Sequence, residues 1–201
     1  MRKSRPQTLF FMGREDLCPA GPSACAGGRG AKVSGSAVAA EERVYLEHFQ
    51  EQAKEAIEPV LTGMGLSLVE MCLGRRKGTT RVSVVIYRHG GVGVDDCAEV
   101  SDLLLPRLEM IEGMAEVSLE VSSPGIERTL RSPSEYTIFA GRGLRVLVGK
   151  ETEWQGGIIE GVEGDMLWLR RGRERKGFAV GEIRRARLDY SVEVEETKNA
   201  V

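Results

Sequence analysis

Between Glu41 and Thr62 the apolar residues Val44, Phe49, Ala53, Ala56, Ile57, Val60 and Leu61 recur at helical spacing, with Glu and Lys between them. This period predicts an amphipathic helix. Pro59 is expected to kink it or to open its final turn, and Gly63-Met64-Gly65 to stop it. Leu66–Leu73 reads as a strand and Gly74–Thr79 as a polar, basic loop of hairpin length. Val82, Val84 and Ile86 then alternate with Ser83, Val85 and Tyr87, the period of a second strand. Asp95 is the expected N-cap of a helix that runs to Met110-Ile111, with Asp96 and Glu99 near its positive end. Glu116–Val121 alternates again as a third strand. The order αββαβ predicts a two-layer domain over residues 42–130, its helices on one face of a three-stranded sheet.

The period shortens after residue 130. Ser132 and Pro133 read as a cap and a first helical residue, opening a short turn that ends at Gly141. Five strand-like runs follow: Leu144–Val148, Gly156–Val162, Met166–Arg170, Gly177–Val180 and Ile183–Leu188. Short strands joined by glycine-marked turns predict a small curled barrel over residues 134–190. Gly149, Gly156, Gly157, Gly161, Gly164, Gly172 and Gly177 are read as its bends. Residues 191–201 read as an acidic tail. The fold class is α+β.

Residues 1–40 break the pattern. Cys18–Ala40 is Gly/Ala/Ser-rich without periodicity, so it cannot bury enough apolar area to offset the entropy of ordering it. A disordered basic extension is expected there. The apolar core Leu9–Met12 is shorter than the ~7 residues a secretory signal needs, and no run approaches the ~18 that span a bilayer. Cys18, Cys25, Cys72 and Cys97 lack metal-ligand spacing, and only His48 and His89 could join them. Reduced thiols, no metal and no cofactor are expected of a cytoplasmic protein.

Charge changes the picture once it is resolved along the chain. The 201 residues carry 28 Lys+Arg against 30 Asp+Glu, a formal −2 that excludes a uniformly basic coat. Yet residues 1–40 sum to +4, 41–130 to −7 and 142–187 to +4. An acidic middle separates two basic segments. The strongest concentration is Arg170, Arg171, Arg173, Arg175 and Lys176; Arg75, Arg76 and Lys77 form a second, and Arg185 and Arg187 share a face of the last strand. Arginine clusters can grip phosphates through bidentate bonds, although a solubilising hairpin tip has the same composition. Trp154 and Trp168 read as core or rim residues.

Between the two halves lies Ser122-Ser123-Pro124-Gly125, a candidate type II turn, followed by Arg128, which can reach a carboxylate or a phosphate. No histidine adjoins Ser123 and no hydrolase elbow surrounds it. No catalytic residue is expected. The string LEVSSPGIERTL (Leu119–Leu130), with VDDCAEVSDLL (Val94–Leu104), EPVLTGMGLSLVE (Glu58–Glu70), WQGGIIEGVEGDMLWL (Trp154–Leu169) and AVGEIRRARL (Ala179–Leu188), resembles the bacterial ribosome maturation factor RimP family.

The resemblance implies a KH-like N-terminal domain and a C-terminal Sm/SH3-like barrel. It implies a non-enzymatic cytoplasmic factor that binds the immature 30S subunit, 16S rRNA and a small-subunit ribosomal protein near the decoding region. Ser122, Ser123, Pro124, Gly125 and Arg128 would form the interdomain turn. Thr129 stands where the family usually has Pro. No membrane partner is expected, and a monomer is. The alternative is an Sm-like RNA-binding regulator outside ribosome assembly, and an enzyme comes third.

Overall fold

The computed structural model describes residues 36–76, 78–114 and 116–199. Most of the expected basic extension, with Cys18 and Cys25, lies outside the described residues, as does Lys77. The described residues from Glu42 onward form one compact unit. No described helix is long and apolar enough to cross a membrane.

Helix α1 (Ser36–Gly63) begins five residues before the expected start and continues through Pro59. Its buried residues Phe49, Ala53, Ile57 and Leu61 recur every four positions, one stripe of a 3.6-residue period. Strands β1 (Ser67–Arg76) and β2 (Thr79–Tyr87) form an antiparallel hairpin. Helix α2 (Val94–Glu109) crosses back to β3 (Val117–Ser122), which pairs parallel to β2. Val82, Val84 and Ile86 of β2 are fully buried against Val100, Leu104 and Leu108 of α2 and the α1 stripe. Each such aliphatic side chain contributes about 1.5–3 kcal/mol. The observed order is αββαβ.

The cap of α2 differs from the expectation at Asp95. Gly93 occupies the N-cap in extended conformation, and Asp96 reaches back to accept from the Gly93 N–H at 2.8 Å. A carboxylate at the third helical position satisfies the cap amide, and Asp95 contributes only negative charge to the first turn.

The second sheet contains β4 (Thr129–Leu130), β5 (Gly143–Val148), β6 (Gln155–Glu163), β7 (Met166–Arg171), β8 (Glu174–Ala179) and β9 (Ile183–Leu188). Its order is β4-β9-β5-β6-β7-β8, with β4 and β8 at the edges. Helix α3 (Pro133–Ile138) opens as expected: Ser132 accepts from the Ser134 N–H, and Glu135 accepts from the Ser132 N–H at 3.1 Å. Phe139, Leu144, Val146, Leu167 and Leu188 fill the core beneath this sheet. The chain is α+β.

Three local readings are corrected. Thr129-Leu130, for which no strand was expected, forms a short strand paired with β9. β8 starts at Glu174, where the exposed Glu174, Arg175 and Lys176 pair with Arg171, Arg170 and Leu169 of β7. The supposed acidic tail is helix α4 (Tyr190–Asn199), which lies on β5 and β6.

Gly143 and Gly156 make that docking possible, and neither is a bend. A Cβ at Gly143 would meet the Asp189 carbonyl at 2.4 Å; at Gly156 it would meet Val192 and Arg145 at 3.4 Å. Glu193 completes the seat by accepting from Arg142 Nε at 2.6 Å and the Gly143 N–H at 2.9 Å. Gly143→Ala is therefore expected to lose about 1–3 kcal/mol by overpacking. Thermal unfolding should show a midpoint several degrees lower; an unchanged midpoint would mean that α4 contributes no stability.

Candidate functional site

The SSPG segment positions Arg128. Ser122 ends β3 opposite Val85, and Ser123–Gly125 leave the sheet. The hydrogen-bonded turn spans 125–128, with the Arg128 N–H on the Gly125 carbonyl at 3.1 Å, two residues later than the expected type II turn. Arg128 then turns inward. Its guanidinium donates Nε and one Nη to Glu135 at 2.9 and 2.7 Å, and that Nη also to Glu70 on β1 at 2.5 Å.

This cluster joins the first sheet to α3. Glu135 uses its second oxygen for the Arg131 and Ser132 amides at 2.6 and 3.1 Å, so it caps α3 and neutralises Arg128 at once. Two further contacts support the junction. Tyr87 at the end of β2 lies 4.7 Å from the Phe139 ring. Val69 falls at a bulge in β1 and packs into the core of the second sheet. An extra residue in one strand re-aims its side chain, which allows β1 to serve both cores.

Burial alone would disfavour the charge on Glu70, but its hydrogen bond to Arg128 and the attraction of that charge hold its carboxyl below the usual range. Burial likewise opposes the charge on Arg128, and the hydrogen bonds to Glu70 and Glu135 overcome it. A depressed carboxyl pKa contributes stability above the unfolded value of about 4.3, lost as pH falls through the folded one. Unfolding measured from about pH 5 downward should show that loss. Glu70→Gln should flatten the acid limb; an identical limb would remove Glu70 from the account.

The basic candidates fall into three places. Arg75 closes β1 with its guanidinium 4.5 Å from the Tyr45 ring centroid. Arg76 pairs with Thr79 across the hairpin; its side chain and Lys77 lie outside what is described. The second place is the β7–β8 hairpin, turned at Gly172 with φ 60°. Arg170 and Arg175 face each other across it and share Glu160 at 3.6 and 2.8 Å. Arg175 also binds Glu163 at 2.7 Å and stacks 4.1 Å from the Trp168 centroid.

Those two arginines are therefore engaged within the sheet. Glu160 explains it: the bulge between Ile159 and Gly161 turns it toward them. Arg171, 70 % exposed, is 3.7 Å from Glu195, and Arg173 is exposed with no ion pair among the described residues. Lys176 donates to Gln155 at 3.1 Å. The hairpin presents Arg171 and Arg173 as its available cations.

The third place is the outer face of β9. Arg185 pairs with Leu147 and Arg187 with Arg145, so all share the face opposite the core. Arg187 is 3.6 Å from Glu127, and Arg145 binds Asp189 at 2.8 Å. Arg145 and Trp154 are new members here. Alternation in LRVLV places Arg145 opposite Leu144, but only the β5–β9 register brings it beside Arg187.

Cys72 and Cys97 sit on β1 and α2, half-buried rather than deep in a core. Among the described residues, no group of three or more His, Cys, Asp or Glu could hold a metal. The segment ending at the Arg128 turn also has a counterpart among known families. Residues 56–127, from the second half of α1 through α2 and β3, match the family model described as the RimP N-terminal domain, which supports the resemblance to the RimP family.

Proposed function

We propose that the chain is a maturation factor of the 30S ribosomal subunit. It binds 16S rRNA in the immature particle, docks a small-subunit ribosomal protein near the decoding region, and acts in the cytoplasm as a non-enzymatic monomer. The match of residues 56–127 to the RimP N-terminal domain carries this reading, since that family is one of ribosome maturation factors. Residues 42–130 are read as its KH-like domain and 134–190 as its Sm/SH3-like barrel. Ser122, Ser123, Pro124, Gly125 and Arg128 are the junction between them.

Within this reading, Arg171 and Arg173 on the hairpin tip take rRNA phosphates, joined by Arg185 on β9 and by the Arg75 hairpin. Arg170, Arg175 and Lys176 orient the surface through neighbouring side chains, while Arg187 joins Arg185 on β9. Cations set binding that weakens with salt, by about 0.7–0.9 in log–log slope per phosphate. The pair Arg171→Ala with Arg173→Ala should lower that slope by about 1–2 while unfolding stays unchanged. Unchanged affinity for immature 30S particles would exclude the hairpin. Sucrose-gradient sedimentation tests the reading itself: the chain should travel with immature 30S subunits at moderate salt.

A second reading is an Sm-like regulator assembled edge to edge, favoured by the unpaired outer edge of β8. The opposite edge, β4, has two residues, a short template for a ring. A monomeric elution on a sizing column decides against it.

A further inference from the structure

Resting on the reading of the chain as an rRNA-binding factor, we propose that the outer face of β9 and β5 carries a stacking platform for an unpaired RNA base. Trp154 is the platform, and Arg187 and Arg185 bind its flanking phosphates. Trp154 immediately precedes β6, two residues before Gly156, the β6 partner of Arg145. Arg145 pairs with Arg187 and Leu147 with Arg185, which sets both β9 arginines on that face. The Arg187 guanidinium is 5.8 Å from the Trp154 ring centroid.

The indole is 41 % exposed although burial of so large a ring would be favourable. Arg185 is exposed with no ion pair among the described residues. The Arg187 side chain is 42 % exposed and its Nη1 meets Glu127 only at 3.6 Å, beyond hydrogen-bond distance, so it retains donors for a phosphate. Helix α4 bounds the patch where Val192 lies over Gly156 and Asp189 binds Arg145.

An exposed indole between cations fits a single-stranded nucleotide: base stacking uses the ring, and flanking phosphates use the arginines. An acidic peptide would engage the arginines and leave the ring without a planar partner. A duplex keeps its bases stacked on one another and cannot offer one.

The chain has two tryptophans, so Trp168→Phe leaves Trp154 as the reporter. Titration of this full-length variant with single-stranded octa-adenylate should quench its fluorescence, with little effect from an RNA duplex of equal length or from polyglutamate. In the otherwise native chain, Trp154→Ala should weaken octa-adenylate binding on the order of 5- to 100-fold, and Trp154→Phe should retain most of it. Glu127→Gln should tighten it by releasing Arg187.

Equal affinity of Trp154→Ala and the native chain overturns the platform, as does quenching by polyglutamate as strong as by RNA. If the native chain travels with immature 30S subunits while Trp154→Ala shows equal octa-adenylate affinity, the platform fails alone. If the native chain neither binds the oligonucleotide nor travels with the particles, the reading beneath it fails as well.

Discussion

Replacing Arg128 by alanine is expected to destabilise the protein by about 3–5 kcal/mol, the cost of breaking a buried ion pair from one side. Glu135, 4 % exposed, would be left with only the Arg131 and Ser132 amides against it, and Glu70 would lose its principal partner. The loss exceeds that of a surface pair, for which about 0–1 kcal/mol is usual, because water cannot replace the guanidinium at this depth. Arg128→Lys should recover only part of it. One ammonium cannot reproduce the paired Nε and Nη bonds to Glu135 together with the bond to Glu70. Urea unfolding reads the difference as a lower midpoint at unchanged slope. A loss under about 1 kcal/mol would mean that the charges are solvated in solution.

Phe139→Ala should produce a loss of similar size, about 3–5 kcal/mol, for a different reason. The ring is fully buried where α3 ends, among Leu144, Val146 and Leu188, and it meets Tyr87 of the first sheet. Removing it leaves a cavity at a place where two packed sheets and a capped helix restrict collapse. Phe139→Leu should cost clearly less, because most of the volume returns while the ring contact does not. If alanine and leucine are equally mild, the junction is not packed around this ring. If both unfold the chain, comparison with Leu104→Ala, in the other core, separates the junction from general core loss.

Much of the fold could be read in the chain because its core residues obey local periods. Phe49, Ala53, Ile57 and Leu61 mark the buried face of α1, and Val82, Val84 and Ile86 that of β2, whatever their partners turn out to be. The Ser132-Pro133 start of α3 is likewise local chemistry. Helix α4 was illegible for the opposite reason. Val192 is its one buried apolar residue, and the helix is held by Glu193 on Arg142 and by glycines that make room for it. None of these features has a period.

The candidate site divides along the same line. The basic residues are visible as composition, but composition does not say which cations are engaged. Glu160 and Glu163 bind Arg175 only because β6, β7 and β8 pair in one register, with a bulge at Glu160. Arg128 was singled out from its motif, whereas Glu70 lies 58 positions away and reaches it through the meeting of two sheets. Trp154 carries no local mark at all. Its neighbours Arg187 and Arg185 come from β9, and the strand pairing alone assembles them.

The central claim is that this acidic, locally basic chain recognises the immature small subunit. Sedimentation of the tagged full-length chain with immature 30S particles, mature 30S subunits and 50S subunits tests it most directly. The expected result is co-migration with immature 30S particles at moderate salt, lost progressively as salt rises and absent with 50S subunits. A chain that stays at the top of the gradient with immature 30S particles, or that travels equally with every particle, would contradict it.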